Sequence, residues 1–337
     1  MTAQFWKQLP NGHAQCRLCS RFCTLPPGEK GFCGVRASDD QGILHSLVTS
    51  GVAALNLDPV EKKPLYHYLP GTTTLSFGTP GCNFACLFCQ NAALSHEARE
   101  LGQVRLQGVT SRRLVEEAGR SGAASLSFTY SEPTVFFELM AETADMARQA
   151  GFGTIMVSNG FQSPDSLGAL RDRIEAANID LKSFREDFYR DYCQARLAPV
   201  LDNLKTMRSR GWWVEVTTLV IPGRNDTSGE LRDLARFIAQ ELGQEVPWHL
   251  SRFRPAFRMQ DIPPTPLADL ERAARIGREE GLRFVYLGNV ARHALASTCC
   301  PKCGRTLLAR SGYSVQGLPF DGRCACGEDI PGIWNRA

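Results

Sequence analysis

Through the middle of the chain, short apolar runs alternate with longer stretches of helical periodicity. The segments 72–78, 124–130, 153–158, 177–182, 212–221, 247–253 and 283–287 are rich in β-branched and aromatic residues and bounded by turn formers, the pattern of strands. Between them the buried-face residues recur every three to four positions. From Pro133 to Ala150 these are Val135, Phe136, Leu139, Met140, Thr143, Met146, Ala147 and Ala150, with Pro133 in the first turn, where a missing N–H costs nothing. Ser228 to Leu242 puts Leu231, Leu234, Ala235, Ile238 and Leu242 on one face. A third helix runs from about Leu267 to Glu280 and is stopped by Gly281. Repeated strand–helix units imply a parallel sheet with right-handed crossovers. The expected fold class is therefore α/β: a partial (β/α) barrel over 72–292, preceded by a Cys-rich knuckle and linker (1–71) and followed by a zinc-ribbon-like segment (293–337). Within the linker, a hairpin is expected over Ile43 to Val52. The basic, Pro-rich stretch 59–71, with Lys62, Lys63, His67 and Tyr68, reads as a solvated loop.

Composition narrows the function classes. Hydrophobic residues make up 43% and charged ones 22% of 337 residues, as in ordinary globular proteins. A net charge of +3 points to neither a nucleic acid nor an anionic membrane as partner. No apolar run reaches the roughly 20 residues that span a bilayer. The first residues lack a basic segment followed by an apolar one, so a cytoplasmic location is expected. Of thirteen cysteines only Cys193 stands alone, and a lone Cys usually serves as a small core hydrophobe. The other twelve fall in groups with metal-ligand spacing, which in a reducing compartment reads as metal sites rather than disulfides.

In a parallel α/β barrel, ligands bind at the C-terminal ends of the strands. There the sequence places Tyr130-Ser131-Glu132-Pro133, Ser158-Asn159-Gly160, Asp180 to Lys182, and Arg252 to Arg254. Directly after the first expected strand come Cys82, Cys86 and Cys89, spaced CxxxCxxC. Three thiolates from one loop suit an iron–sulfur cubane with one iron left open to a small chelating molecule. The plainer readings are a zinc ion, which prefers four ligands, or simply buried thiols. Cys16, Cys19, Cys23 and Cys33, with two, three and nine residues between them, suit structural zinc or a second cluster. Cys300, Cys303, Cys324 and Cys326 read as two zinc knuckles, the second tighter than usual, with Cys299 either substituting or free.

Motifs spread over nearly the whole chain carry a family resemblance: GFCGVR (31–36), VEKKPLYHYLPG (60–71), GCNFACLFCQN (81–91), TYSEPT (129–134), NIDLK (178–182), VIPGRND (220–226) and the terminal CPKCG…IPGIW. The chain resembles the radical S-adenosylmethionine (SAM) enzyme of the AmmeMemoRadiSam system, related to the pyruvate formate-lyase activating enzyme group. The resemblance implies that Cys82, Cys86 and Cys89 ligate a [4Fe–4S] cluster and that SAM binds its open iron. Reductive cleavage of SAM would then yield a 5′-deoxyadenosyl radical that abstracts hydrogen from a substrate, with a protein or peptide expected. It implies SAM contacts from Phe88, Ser131, Glu132, Asn159, Asp180 and Lys182, with Arg254 a weaker candidate. Relatives carry Gly-Gly-Glu-Pro where this chain has Tyr130-Ser131-Glu132-Pro133, so backbone access there depends on Tyr130 and Ser131. They also carry an acidic residue at the position of Val157. Further implied partners are an electron donor such as flavodoxin or ferredoxin, and Memo-like and AMMECR-type proteins. The rival reading, a multi-zinc nucleic-acid-binding module, asks for a basic, aromatic-studded surface that this charge balance does not favour. A simple electron carrier would not leave an iron open.

Overall fold

The structure is a computed structural model and describes residues 1–336. Its centre is an eight-stranded sheet of strands β1 (Ala54–Pro59), β2 (Thr73–Gly78), β3 (Ser125–Phe128), β4 (Gly153–Ser158), β5 (Ala176–Asp180), β6 (Trp213–Val220), β7 (Trp248–Arg252) and β8 (Val285–Gly288). They lie in sequence order from β1 to β8. Strands β2 to β8 are parallel, and β1 is antiparallel to β2. Helices cover the outer face, so β3 is buried at every position and its apolar run shows no alternation. Since β1 and β8 do not pair, the barrel is partial, as expected for the fold class. The strand β1 arises within the stretch read as linker. Among the described residues no helix is long and apolar enough to cross a membrane.

Two expectations are corrected. No hairpin forms over 43–52. Asp39 Oδ1 instead accepts from the N–H groups of Gln41 (3.0 Å) and Ile43 (2.8 Å), and Gly42 takes φ +76°, so the chain turns one step earlier. Leu44–Ser46 therefore pairs back onto Arg36–Ser38, and Gly51–Val52 pairs with Gln107–Gly108.

The stretch 59–71 is not solvated either. Lys63, His67 and Tyr68 are buried and plug the N-terminal end of the barrel. The Glu215 carboxylate accepts from the backbone N–H groups of Tyr66 (2.9 Å) and His67 (2.8 Å) and bonds His249 Nε2 at 2.6 Å. His67 bonds Pro331 O through Nδ1 (2.7 Å) and Tyr286 Oη through Nε2 (2.6 Å). The basic charge is met locally, because Asp58 receives both Lys62 (2.8 Å) and Lys63 (2.6 Å). With its charge neutralised, the loop buries its rings beneath the C-terminal segment.

The N-terminal knuckle docks on the barrel through a buried ion pair. Arg36 Nη2 donates to both oxygens of Glu138, at 2.6 and 2.8 Å, on the helix Phe137–Gln149. At the other terminus, strands Thr298–Cys299, Thr306–Ser311 and Ser314–Gln316 form a small antiparallel sheet. Its Arg310 donates to Tyr66 O (2.7 Å) and Thr298 Oγ1 (2.7 Å), which ties it to the barrel plug.

Candidate active site

The loop after β2 turns at Gly81, where φ is +101° and a Cβ would lie 2.8 Å from Cys33 O. Only glycine fits there, because the knuckle packs directly on the turn. The turn sends Cys82, Cys86 and Cys89 toward the C-terminal ends of the strands. All three line one cavity of about 250 Å³, together with Phe88, Ser131, Glu132, Asn159, Asp180 and Lys182. Six of the seven residues expected at the SAM site thus line the same space. Arg254 does not, and lines an adjoining cavity instead.

Tyr130 follows strand β3 and lines the same cavity. It adopts φ +70°, a left-handed conformation that glycine takes freely and other residues rarely. Its hydroxyl donates to Asp58 Oδ2 at 2.5 Å, while Asn91 Nδ2 donates to its carbonyl at 2.8 Å. Ser131 Oγ donates to Thr79 O at 2.6 Å, so that hydroxyl braces the neighbouring strand end.

Glu132 is buried and accepts four hydrogen bonds. Oε1 takes the Thr134 N–H (3.0 Å), the Thr134 hydroxyl (2.5 Å) and the Ser158 hydroxyl (2.8 Å), and Oε2 takes the Asn159 N–H (2.9 Å). Burial raises its pKa against these donors. The capping role is thus present, and Oε2 keeps room for another donor. Asn159 Nδ2 donates to Asn83 Oδ1 at 2.7 Å, linking the end of β4 to the cysteine loop.

Lys182 pairs with Asp180 at 2.8 Å, and its ammonium lies 5.7 Å from the centroid of the Phe88 ring. Burial works against its charge, but Asp180 and the thiols of Cys86 and Cys193 outweigh it and hold the lysine pKa well above its usual value. The VIPGRND segment is a support for this pair: Asn225 Nδ2 donates to Lys182 O at 2.6 Å.

Sequence reasoning treated Cys193 as an isolated core residue. It is buried, but its thiol lies against Cys86 and, with burial, pushes that pKa well up. Its backbone carbonyl also accepts the Ala85 N–H at 2.9 Å. Nothing in the spacing of a single cysteine signals this contact.

The donor set of the triad fits a multi-iron cluster better than a single ion. Tetrahedral zinc with bonds of about 2.3 Å brings its sulfurs to about 3.8 Å apart. Among the described residues, only Cys300, Cys303, Cys324 and Cys326 have all their ligand atoms within 4.8 Å of one another. There the Cys300–Cys326 and Cys303–Cys324 sulfurs are each 3.6 Å apart, a site able to bind a metal. Cys299 is outside it, with Sγ 3.8 Å from Thr306 Oγ1. The triad is more widely spread around its cavity. A cubane needs that spread, because each thiolate binds a separate iron.

A second cavity, of about 680 Å³, adjoins the first and shares Gln90, Thr217 and Ser251 with it. It occupies the gap between the unpaired edges of the sheet. Glu61, Lys62 and Tyr66 line one side, Leu287 to Arg292 the other, and Arg310, Gly312 and Tyr313 of the C-terminal sheet complete the wall. Its location depends on how both termini close the barrel, which no local motif encodes.

Residues 77–238 match the family model of the Radical SAM superfamily. The uncharacterized protein MJ0808 of Methanocaldococcus jannaschii is 40% identical over 332 residues, covering 97% of this chain and 98% of that protein. The isethionate sulfite-lyase activating enzyme of Oleidesulfovibrio alaskensis is 26% identical over 175 residues, 50% of this chain and 55% of that enzyme. Streptococcus suis SuiB, solved with its precursor peptide SuiA, superposes with a TM-score of 0.51 over 69% of this chain and 52% of that one, at 14% identity. That last likeness is one of fold.

Proposed function

Because the chain belongs to the radical SAM superfamily, we propose that it is an activating-enzyme-like radical SAM enzyme acting on a protein or peptide. In this reading Cys82, Cys86 and Cys89 hold a [4Fe–4S] cluster and SAM binds beside it. The observation that carries the reading is the convergence of the three thiols, Phe88 and five strand-end residues on one cavity that adjoins a larger one. When bound, the cluster and SAM supply a one-electron cleavage of the sulfonium and the hydrogen-atom abstraction that follows.

The chain's own residues bind and orient. Lys182, kept charged by Asp180, suits the SAM carboxylate, and the free capacity of Glu132 Oε2 suits its ammonium. Phe88 offers its ring to the adenine. Asn159 fixes the cysteine loop through Asn83, and Tyr130 presents its backbone at the cavity mouth. The lateral cavity receives the substrate, with Arg254 and Arg292 favouring a segment that carries negative charge.

A protein substrate is supported by the relative named as an activating enzyme of a lyase. The required electron donor is of the flavodoxin or ferredoxin class. The motifs quoted above support assignment to the AmmeMemoRadiSam system, with Memo-like and AMMECR-type proteins as associates. The thirteen cysteines, none in a disulfide, suit a reducing cytoplasm. The 3.6 Å sulfur contacts support zinc at the C-terminal site.

The test is anaerobic reconstitution, reduction, and measurement of 5′-deoxyadenosine released from SAM. Wild type should release it, and Cys86→Ala should not. A reduced wild-type cluster whose EPR signal ignores SAM, with no 5′-deoxyadenosine formed, overturns the reading.

A further inference from the structure

The knuckle cysteines are not explained by the chemistry above. Cys16, Cys19, Cys23 and Cys33 come from separate turns and short strands, yet all four line one small enclosed cavity. Three observations on that cavity decide what it holds.

Its sulfurs are not drawn together. Among the described residues, only the C-terminal set has its sulfurs within 4.8 Å of one another. A cavity of about 20 Å³ lies between the four thiols. Four thiolates spread around a core match a cubane with every iron ligated by protein.

The cavity is also lined by buried donors without acceptors. Arg36 and Asn83 are each 1% exposed, and neither Arg36 Nε nor Asn83 Nδ2 has a hydrogen-bond partner. Both groups are otherwise fixed. Arg36 is held by Glu138, and Asn83 Oδ1 by Asn159. Buried unpaired N–H groups are costly, so each calls for an acceptor at this spot. The sulfides and thiolates of an anionic cluster are acceptors, and hydrogen bonds to cluster sulfur are one of the protein's means of setting potential.

The position is the third observation. Asn83 lines the knuckle cavity, while Cys82 before it lines the SAM cavity. Cys33 O lies against Gly81 on the same turn. One short backbone segment therefore separates the two cysteine sites.

We propose that Cys16, Cys19, Cys23 and Cys33 bind a second [4Fe–4S] cluster, which accepts one electron at a time from a flavodoxin- or ferredoxin-class donor and passes it to the cluster at Cys82, Cys86 and Cys89. The relay rests on the proposed function, while the second cluster itself stands on the knuckle alone. Each transfer oxidises the knuckle cluster by one electron and reduces its neighbour by one, so no further reactant is needed.

The experiment is metal and sulfide analysis of the full chain, reconstituted anaerobically with iron and sulfide and supplied with zinc, joined to EPR of the reduced protein. Wild type should carry about eight irons and one zinc. The triple variant Cys82→Ala, Cys86→Ala, Cys89→Ala should keep about four irons in a cluster whose EPR signal does not respond to SAM. The double variant Cys19→Ala, Cys23→Ala should lose the other four. Four irons and two zinc ions in wild type, with the irons lost in the triple variant, overturn the proposal, as does a knuckle holding no metal. If wild type holds four irons and the triple variant keeps them all, the knuckle cluster stands and the reading of the triad fails. Should the double variant misfold, the wild-type count and the triple variant still decide the matter. For the relay, the rate of reduction of the double variant's remaining cluster by reduced flavodoxin should fall at least about tenfold, while reduction by a small viologen is retained. An undiminished flavodoxin rate overturns the relay.

Discussion

Substituting Tyr130 tests whether the backbone at the cavity mouth is held in a glycine-like state by a side chain. With φ at +70°, any residue bearing a Cβ pays steric strain of roughly 1–2 kcal/mol. Tyrosine offsets it through its hydroxyl, which donates to Asp58 at 2.5 Å, and through its ring, whose centroid is 4.6 Å from Lys63 Nζ. A hydrogen bond to a charged acceptor is worth about 1.5–3 kcal/mol, with the lower end apt here because Asp58 also receives both lysines. Tyr130→Ala keeps the strain and loses the offset, so it should cost about 2 kcal/mol or more. Tyr130→Gly loses the same contacts but relieves the strain. Its greater unfolded-state freedom returns only about 0.4–1 kcal/mol of that relief. Glycine should therefore be more stable than alanine by up to about 1.6 kcal/mol, the reverse of their usual order. Urea unfolding of the two variants and wild type, followed by tryptophan fluorescence at constant m, gives the comparison. Alanine more stable than glycine would refute the left-handed conformation and with it this account of the Tyr130 backbone.

Other sites give further expected outcomes. Burial lowers the His67 pKa to about 4, against the pull of Glu215, so the folded protein keeps this ring neutral while the unfolded chain protonates it near 6.5. Stability should therefore be full above pH 6.5 and fall as the pH drops toward 4, by roughly 3 kcal/mol from this group. His67→Gln should flatten that part of the curve in urea titrations, and an unchanged slope would count against the assignment. Glu138→Ala strands Arg36 in the interior and should cost about 3–5 kcal/mol, seen first as faster amide exchange and proteolysis across the knuckle. Protection equal to wild type would show that the pair does not dock the knuckle. Cys303→Ser should remove about one zinc per chain and leave iron unchanged, by elemental analysis; loss of iron instead would place an iron cluster there.

What the sequence disclosed follows from how local each signal is. Strand β4 was readable to its ends because a buried apolar run stops at turn residues on either side. The cavity beside the CxxxCxxC loop was readable because parallel strands deliver their C-terminal ends to one mouth, so identifying each strand placed Glu132, Asn159, Asp180 and Lys182 together. Strand β1 was hidden: its sequence ALNLDP ends in proline and leaves Leu57 exposed, which suits an antiparallel edge but reads as linker. The stretch 59–71 misled because lysines and prolines suggest solvent, while the partners that bury it, Glu215, Tyr286 and Pro331, lie more than a hundred residues away. The contact of Cys193 with Cys86 was silent for the same reason.

The termini matter to the site because the barrel does not close. An open sheet leaves two edges, and here the C-terminal sheet covers the gap and supplies Arg310 and Tyr313 to the lateral cavity. That sheet is too small to hold its shape by apolar burial alone, so the cysteine site is the natural staple for it. Its grip on the barrel runs through Arg310 to Tyr66 O and through Pro331 to His67, whose ring bonds Tyr286 on β8. Loosening the cysteine site should therefore loosen the barrel plug and the cavity wall together. The expected sign of that coupling is a weaker hold on substrate with SAM cleavage retained, because the cavity of the CxxxCxxC loop shares none of those wall residues.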